Sequence, residues 1–215
     1  MFRLRSYCCF VMLFCASALS NSSVSANDAS KDYQKVCAAC HGENASGVAG
    51  LNSPALAGQQ ADYIVRQVAL YQQGIRGKQD GYAAQMAAIS TTLESQGIDE
   101  QRLNDIADYL SSMPSHKNSV SAGDAALGYK QYQSSCGGCH GDKAQGNKSL
   151  NSPRLAGIDP QYLMRQYLYY VEGKRGLDKR NRFGRQMAMM AQTVRDPQKI
   201  RDVFAYISSI NSESD

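Results

Sequence analysis

Two pentads of the form Cys-x-x-Cys-His stand 99 residues apart in this chain, Cys37-Ala38-Ala39-Cys40-His41 and Cys136-Gly137-Gly138-Cys139-His140. A lone Cys-x-x-Cys suits a redox disulfide or half of a zinc site, but the added histidine and the repetition of the whole pentad select covalent attachment of haem. Two thiols add across the two vinyl groups of one porphyrin, and the adjacent imidazole ligates the iron from the proximal side. The reading is two covalently bound haem c groups, one on Cys37 and Cys40 with His41 as iron ligand, the other on Cys136 and Cys139 with His140.

The 99-residue offset extends well beyond the pentads. It relates Tyr33 to Tyr132, Pro54 to Pro153, Gly58 to Gly157, Arg66 to Arg165, Gln67 to Gln166, Tyr71 to Tyr170 and Arg76 to Arg175. So many matches in one register mean internal duplication. Residues 114–123 are polar, rich in helix breakers and without helical periodicity, so they are expected to link an N-terminal domain of residues 27–113 to a C-terminal domain of residues 124–215. Each unit reads as helical. Leu103, Ile106, Ala107 and Leu110 follow the i, i+3, i+4, i+7 pattern, as do Ile200, Val203, Phe204 and Ile207. Further helices are expected from Ala29 into Cys40 and from Asp62 through Tyr71, with counterparts in the second half.

The other three of the seven cysteines, Cys8, Cys9 and Cys15, fall in an N-terminal stretch that reads as a secretory signal peptide. Arg3 and Arg5 precede an apolar run from Tyr7 to Leu19, and Val24-Ser25-Ala26 offers a small-x-small cleavage pattern, so residues 1–26 are expected to be removed after Ala26. The run is short for a bilayer, which needs about 20 residues. Export to the periplasm agrees with haem attachment, which in bacteria is completed outside the cytoplasm.

The second axial ligand decides whether an iron transfers electrons or does chemistry. Met86 and Met187 are the methionines beyond the signal segment that occupy equivalent positions, in Gln85-Met86-Ala87 and Gln186-Met187-Ala188, at an offset of 101 caused by two residues added between Gly176 and Gln186. Met164, Met189 and Met190 face Val65, Ala88 and Ile89 in the other repeat and have no such partner. Two of the three histidines belong to the pentads, and His116 in the linker cannot serve two haems. Met86 and Met187 are therefore the expected distal ligands. Histidine–methionine coordination fills all six positions of the iron, which points to electron transfer, not to an enzyme.

Taken in order, the pentad, His-Gly-x-x-x-x-Gly (His41–Gly47, His140–Gly146), Pro-x-Leu-Ala-Gly (Pro54–Gly58, Pro153–Gly157), Tyr-x-x-x-Gln (Tyr63–Gln67, Tyr162–Gln166), Gly-x-Arg and a distal methionine resemble the dihaem cytochrome c4 family. The resemblance covers nearly all of the chain after residue 26. It implies an all-α protein of two tandem class I cytochrome c domains related by a pseudo-twofold axis, with haems close enough to exchange electrons. It also implies that the carbonyls of Pro54 and Pro153 orient the proximal histidines.

Residues 27–118 hold 7 basic and 10 acidic side chains, a net of −3, while residues 119–215 hold 14 and 9, a net of +5. Much of the excess lies just before Met187, in Lys174, Arg175, Lys179, Arg180, Arg182 and Arg185. This dipole suggests a docking site for redox partners with an acidic surface. One short basic loop is a poor footprint for nucleic acid, and membrane association would be peripheral, through a respiratory complex. Arg66, Gln67 and Arg76, with Arg165, Gln166 and Arg175, are candidates for holding haem propionates or are exposed helix-face residues kept from the duplication. The leading function is a periplasmic carrier of single electrons between respiratory donors and a terminal oxidase or other acceptor. The alternatives are the dihaem subunit of a dehydrogenase of the flavocytochrome c sulfide dehydrogenase type and a dihaem peroxidase-like enzyme. Each unit is small enough that haem must supply much of its apolar packing. The haem-free chain is therefore expected to melt without a cooperative transition when followed by circular dichroism; a sharp transition would contradict this.

Overall fold

The computed structural model describes residues 26–116 and 121–210. The expected signal segment apart from Ala26, residues 117–120 of the expected linker and residues 211–215 lie outside them. Within the described residues the chain is helical, with two isolated antiparallel bridges, Val48–Ser53 and Asn147–Ser152, and no strands. The N-terminal half runs through α1 (Ala26–Val36), α2 (Ala38–His41), α3 (Ala61–Gln72), α4 (Gly81–Thr92) and α5 (Glu100–Ser112). The C-terminal half repeats that order in α6 (Ala125–Ser135), α7 (Gly137–His140), α8 (Pro160–Val171), α9 (Arg182–Ala191) and α10 (Pro197–Ser209). The all-α, duplicated reading is correct.

Side-chain caps start most of the longer helices. Asp80, Asp99, Asp124, Asp159, Asn181 and Asp196 each accept from backbone amides of the first turn of α4, α5, α6, α8, α9 and α10. An acceptor there satisfies donors that have no partner within the helix, and a carboxylate also meets the positive end of its dipole.

One expected helix is two. The segment from Ala29 into Cys40 breaks at Cys37 (φ −117°, ψ −37°), where α1 ends and α2 begins. The amides of Cys40 and His41 both reach the Cys37 carbonyl, at 3.2 and 3.0 Å, so the ladder tightens into a turn that carries both thiols and the imidazole. Cys136 makes the same turn, with Cys139 and His140 at 3.1 and 2.9 Å.

Each half has its own core. Ile106, Ala107 and Leu110 of α5 pack with Tyr33, Ile64, Val68, Leu93 and Ile98, with Leu103 half-buried beside them. Ile200, Val203, Phe204 and Ile207 of α10 pack with Tyr132, Leu163 and Val194. The periodic stripes are core, as their spacing requires. Full burial of such a side chain contributes about 1.5–3 kcal/mol, and both clusters are thin. Tyr33 and Tyr132, wholly enclosed, tie the cores to the attachment turns: their hydroxyls donate to the carbonyls of Gly42 and Gly141 at 2.6 and 2.7 Å.

The loop after each turn folds back tightly. The Gly47 and Gly146 amides reach the carbonyls of His41 and His140 at 2.8 and 2.7 Å. Gly47 has φ +81°, and a Cβ there would sit 2.7 Å from both the Ser53 oxygen and the Ala55 nitrogen, so only glycine lets the two passes of the loop touch. No helix among the described residues is long and apolar enough to cross a membrane.

Candidate functional site

Both proximal histidines are buried, each 8% exposed, and each places Nδ1 2.9 Å from a proline carbonyl: His41 on Pro54 and His140 on Pro153. A carbonyl can only accept, so Nδ1 carries the proton and Nε2 is the nitrogen left to ligate a metal. The orienting role that the family resemblance implied for these prolines is present in the geometry. Burial holds both imidazoles below their ordinary pKa, opposed by the carbonyl hydrogen bond. They are therefore neutral donors at pH 7.

The four pentad cysteines form no disulfide. Burial raises Cys37 to about 12, helped by the nearby Asp32 and Cys40, and raises Cys136 to about 11, helped by Cys139. Among the described residues no group of three or more His, Cys, Asp and Glu side chains could hold a metal ion.

A large cavity opens between α7, α8 and α9, with about 1200 Å³ of empty space counting the solvent at its mouth. His140, Cys136, Cys139 and Met187 all line it, with Tyr167 and Phe204 among its apolar walls. Met190 lies on the same wall but is 40% exposed, Met189 points outward at 66%, and Met164 packs against the second core. In the N-terminal half Met86 is half-buried on α4 and packs against the first core, as Cys37 does. His116 is engaged elsewhere, its Nε2 3.0 Å from the Asn44 carbonyl. Unpaired thiols, an imidazole with Nδ1 already satisfied and a thioether around one apolar cavity fit a covalently held haem.

The six repeated polar residues expected at propionates or on exposed helix faces gather at the seam between the halves, where Arg66, Gln67, Gln166 and Arg175 also line the cavity. Arg76 donates to Gln67 Oε1 at 2.8 Å within its own half, and to Tyr162 Oη and Gln166 Oε1 of the other half at 3.0 and 3.1 Å. Arg175 mirrors it, reaching Gln166 at 2.7 Å and Gln67 at 3.0 Å. Both arginines are 6% exposed and lie over tyrosine rings, Tyr71 at 4.6 Å and Tyr170 at 4.7 Å. Burial raises the Tyr162 phenol, but Arg76 and Arg175 outweigh it and the net shift is downward. The outer pair crosses the seam as well. Arg66 grips the side chain and carbonyl of Asn151 at 3.0 and 2.9 Å, and Arg165 grips those of Asn52 at 2.9 and 3.0 Å. Tyr63, Arg66 and Gln67 of the first half line the cavity of the second.

Sequence reading had not singled out Asn52 and Asn151, although Leu-Asn-Ser-Pro recurs at the 99-residue offset, and both take left-handed backbone (φ 52° and 55°). It had also passed over Gln59, whose counterpart is Ile158 and which no repeat could flag.

The protein-family model described as Cytochrome c matches residues 26–114 and 125–211. Cytochrome c4 of Azotobacter vinelandii is 30% identical over 192 residues, covering 83% of this chain and 89% of that protein. Cytochrome c4 of Stutzerimonas stutzeri is 31% identical over 182 residues, covering 78% and 84%. The crystal structure of reduced recombinant cytochrome c4 from Pseudomonas stutzeri aligns with a TM-score of 0.66 at 27% identity, covering 87% of this chain and 99% of that one. Duplicated cytochrome c fold, paired attachment turns and these likenesses together place the chain in the cytochrome c4 family. It is a dihaem electron-transfer cytochrome with two covalently bound haem c groups.

Proposed function

We propose that Cys37 and Cys40 hold one haem with His41 and Met86 as axial ligands, that Cys136 and Cys139 hold the other with His140 and Met187, and that the protein carries single electrons in the periplasm between respiratory donors and a terminal oxidase or other acceptor. The signal segment 1–26, domain 27–113, linker 114–123 and domain 124–215 belong to this proposal. The observation that carries it is that Met187 lines the same cavity as His140, Cys136 and Cys139. When bound, each haem supplies a one-electron couple whose potential a thioether ligand raises relative to bis-histidine ligation. The chain's own contribution is to fix both donors. The Pro54 and Pro153 carbonyls set the imidazoles, and Met86 and Met187 would supply the second donor to each iron, which would leave no position for a substrate. This favours a carrier over an enzyme.

The surface beside Met187 supports brief docking to an acidic partner. Lys179, Arg182 and Arg185 are exposed, as are the apolar Leu177 and Met189, at 69% and 66%. The structure trims the basic run read from sequence: Arg175 is buried in the seam, Arg180 forks onto Asp178 at 3.0 and 2.7 Å, and Lys174 pairs with Glu172 at 2.7 Å.

Replacing Met187 by His is expected to lower one of the two midpoint potentials and leave the other near its wild-type value, read by redox titration; two unchanged potentials would refute the assignment. Electron transfer to an acidic redox protein should slow steeply as salt rises through about 0.1 M, where the Debye length is near 10 Å. Arg182→Glu with Arg185→Glu should flatten that dependence. Salt-independent stopped-flow rates would count against the docking face.

A further inference from the structure

The carbonyl that orients His140 is held from the other half of the molecule, and on both sides. Pro153, whose oxygen lies 2.9 Å from His140 Nδ1, sits between Asn151 and Arg154. On one side, Arg66 of α3 donates to the Asn151 carbonyl at 2.9 Å and to its side chain at 3.0 Å. On the other, Gln59 brackets Arg154: its Nε2 donates to the Arg154 carbonyl at 3.0 Å and its Oε1 accepts from the Arg154 amide at 3.1 Å. Gln59 is 4% exposed, and its oxygen also takes the Gln60 amide at 3.0 Å, so the oxygen accepts two bonds and the nitrogen donates one. A buried amide bonded through both of its polar atoms is held firmly, because each lost bond would strand a polar group.

The first half lacks this bracket. Arg165 grips Asn52 on one side of Pro54, but residue 55 is Ala and the residue matching Gln59 is Ile158. Ala55 and Ile158 belong to the apolar cluster of the second half. Contact there is apolar, and the Ile158 side chain has no hydrogen bond to offer the Ala55 backbone. The duplication has therefore produced two chemically different supports for two otherwise matching histidines.

We propose that Gln59 and Arg66 are positioning residues for the proximal histidine of the opposite half, clamping residues 151–154 so that the Pro153 carbonyl stays on His140 Nδ1. An accepted Nδ1 hydrogen bond makes an imidazole a stronger donor through its other nitrogen. Loosening the clamp weakens that donation and raises the potential of the haem on Cys136 and Cys139 alone. This rests on His140 being an iron ligand as proposed above.

The test uses the holoprotein with Gln59→Ile, an uncharged change that copies the counterpart position, followed by proton NMR and redox titration. The His140 Nδ1–H resonance should move and exchange with solvent at least about tenfold faster through local opening, and the potential of the second haem should rise. The His41 resonance and the first haem should stay where they are. An unmoved His140 resonance, or equal changes in both halves as general loosening of the seam would give, overturns the proposal. Should Gln59→Ile fail to fold, Arg66→Lys keeps the charge, loses the forked grip and must give the same one-sided pattern. A wild-type oxidised spectrum in which the His140 ring is not paramagnetically shifted would remove the ligand assignment itself, and this inference with it, before any variant is made.

Discussion

Each half of this cytochrome depends on one hydrogen bond, from a buried histidine Nδ1 to a proline carbonyl 2.9 Å away. Burial costs the imidazole its charge, and the carbonyl then selects the tautomer that leaves Nε2 available to a metal. Much of the surrounding structure serves that contact. A wholly buried tyrosine fixes the turn carrying the histidine, a glycine with positive φ lets the following loop fold back, and a left-handed asparagine two residues before the proline offers its carbonyl outward.

The seam between the halves joins these two centres electrostatically. Arg76 and Arg175 are buried together, and the hydrogen bonds that hold them go to the amide oxygens of Gln67 and Gln166, with the Tyr162 hydroxyl on Arg76. Burying a guanidinium is costly unless its donors are met. Shared amide oxygens and tyrosine faces meet them here without a carboxylate. Asp80 pairs instead with Arg165 and Tyr169.

The fold and the attachment turns were legible because covalent chemistry and duplication leave literal marks: two pentads, one offset, and apolar stripes at helical spacing on what became α5 and α10. Met86 and Met187 were proposed as ligands the same way, by comparing the chain with itself. What repetition could not reveal was the partner of each repeated residue. Read alone, Arg66 and Arg76 suit a haem propionate or an exposed face equally well, and only the folded chain brings Asn151 and Gln166 against them. The break at Cys37 was missed because nothing in Lys35-Val36-Cys37-Ala38 is a helix breaker; the turn arises from how two amides converge on one carbonyl. Gln59 was invisible for the opposite reason, being unique to one half.

Two haems ligated as proposed, with every axial ligand supplied by the chain, should show a specific optical behaviour. The most direct measurement is the visible spectrum of purified protein, oxidised and reduced, with and without carbon monoxide, together with a haem count per chain. Two low-spin haems per chain, a weak far-red methionine-to-iron band when oxidised, and a reduced spectrum indifferent to carbon monoxide are the expected result. A high-spin or carbon-monoxide-binding haem would contradict the assignment of Met86 or Met187 and, with it, the exclusion of substrate from the iron.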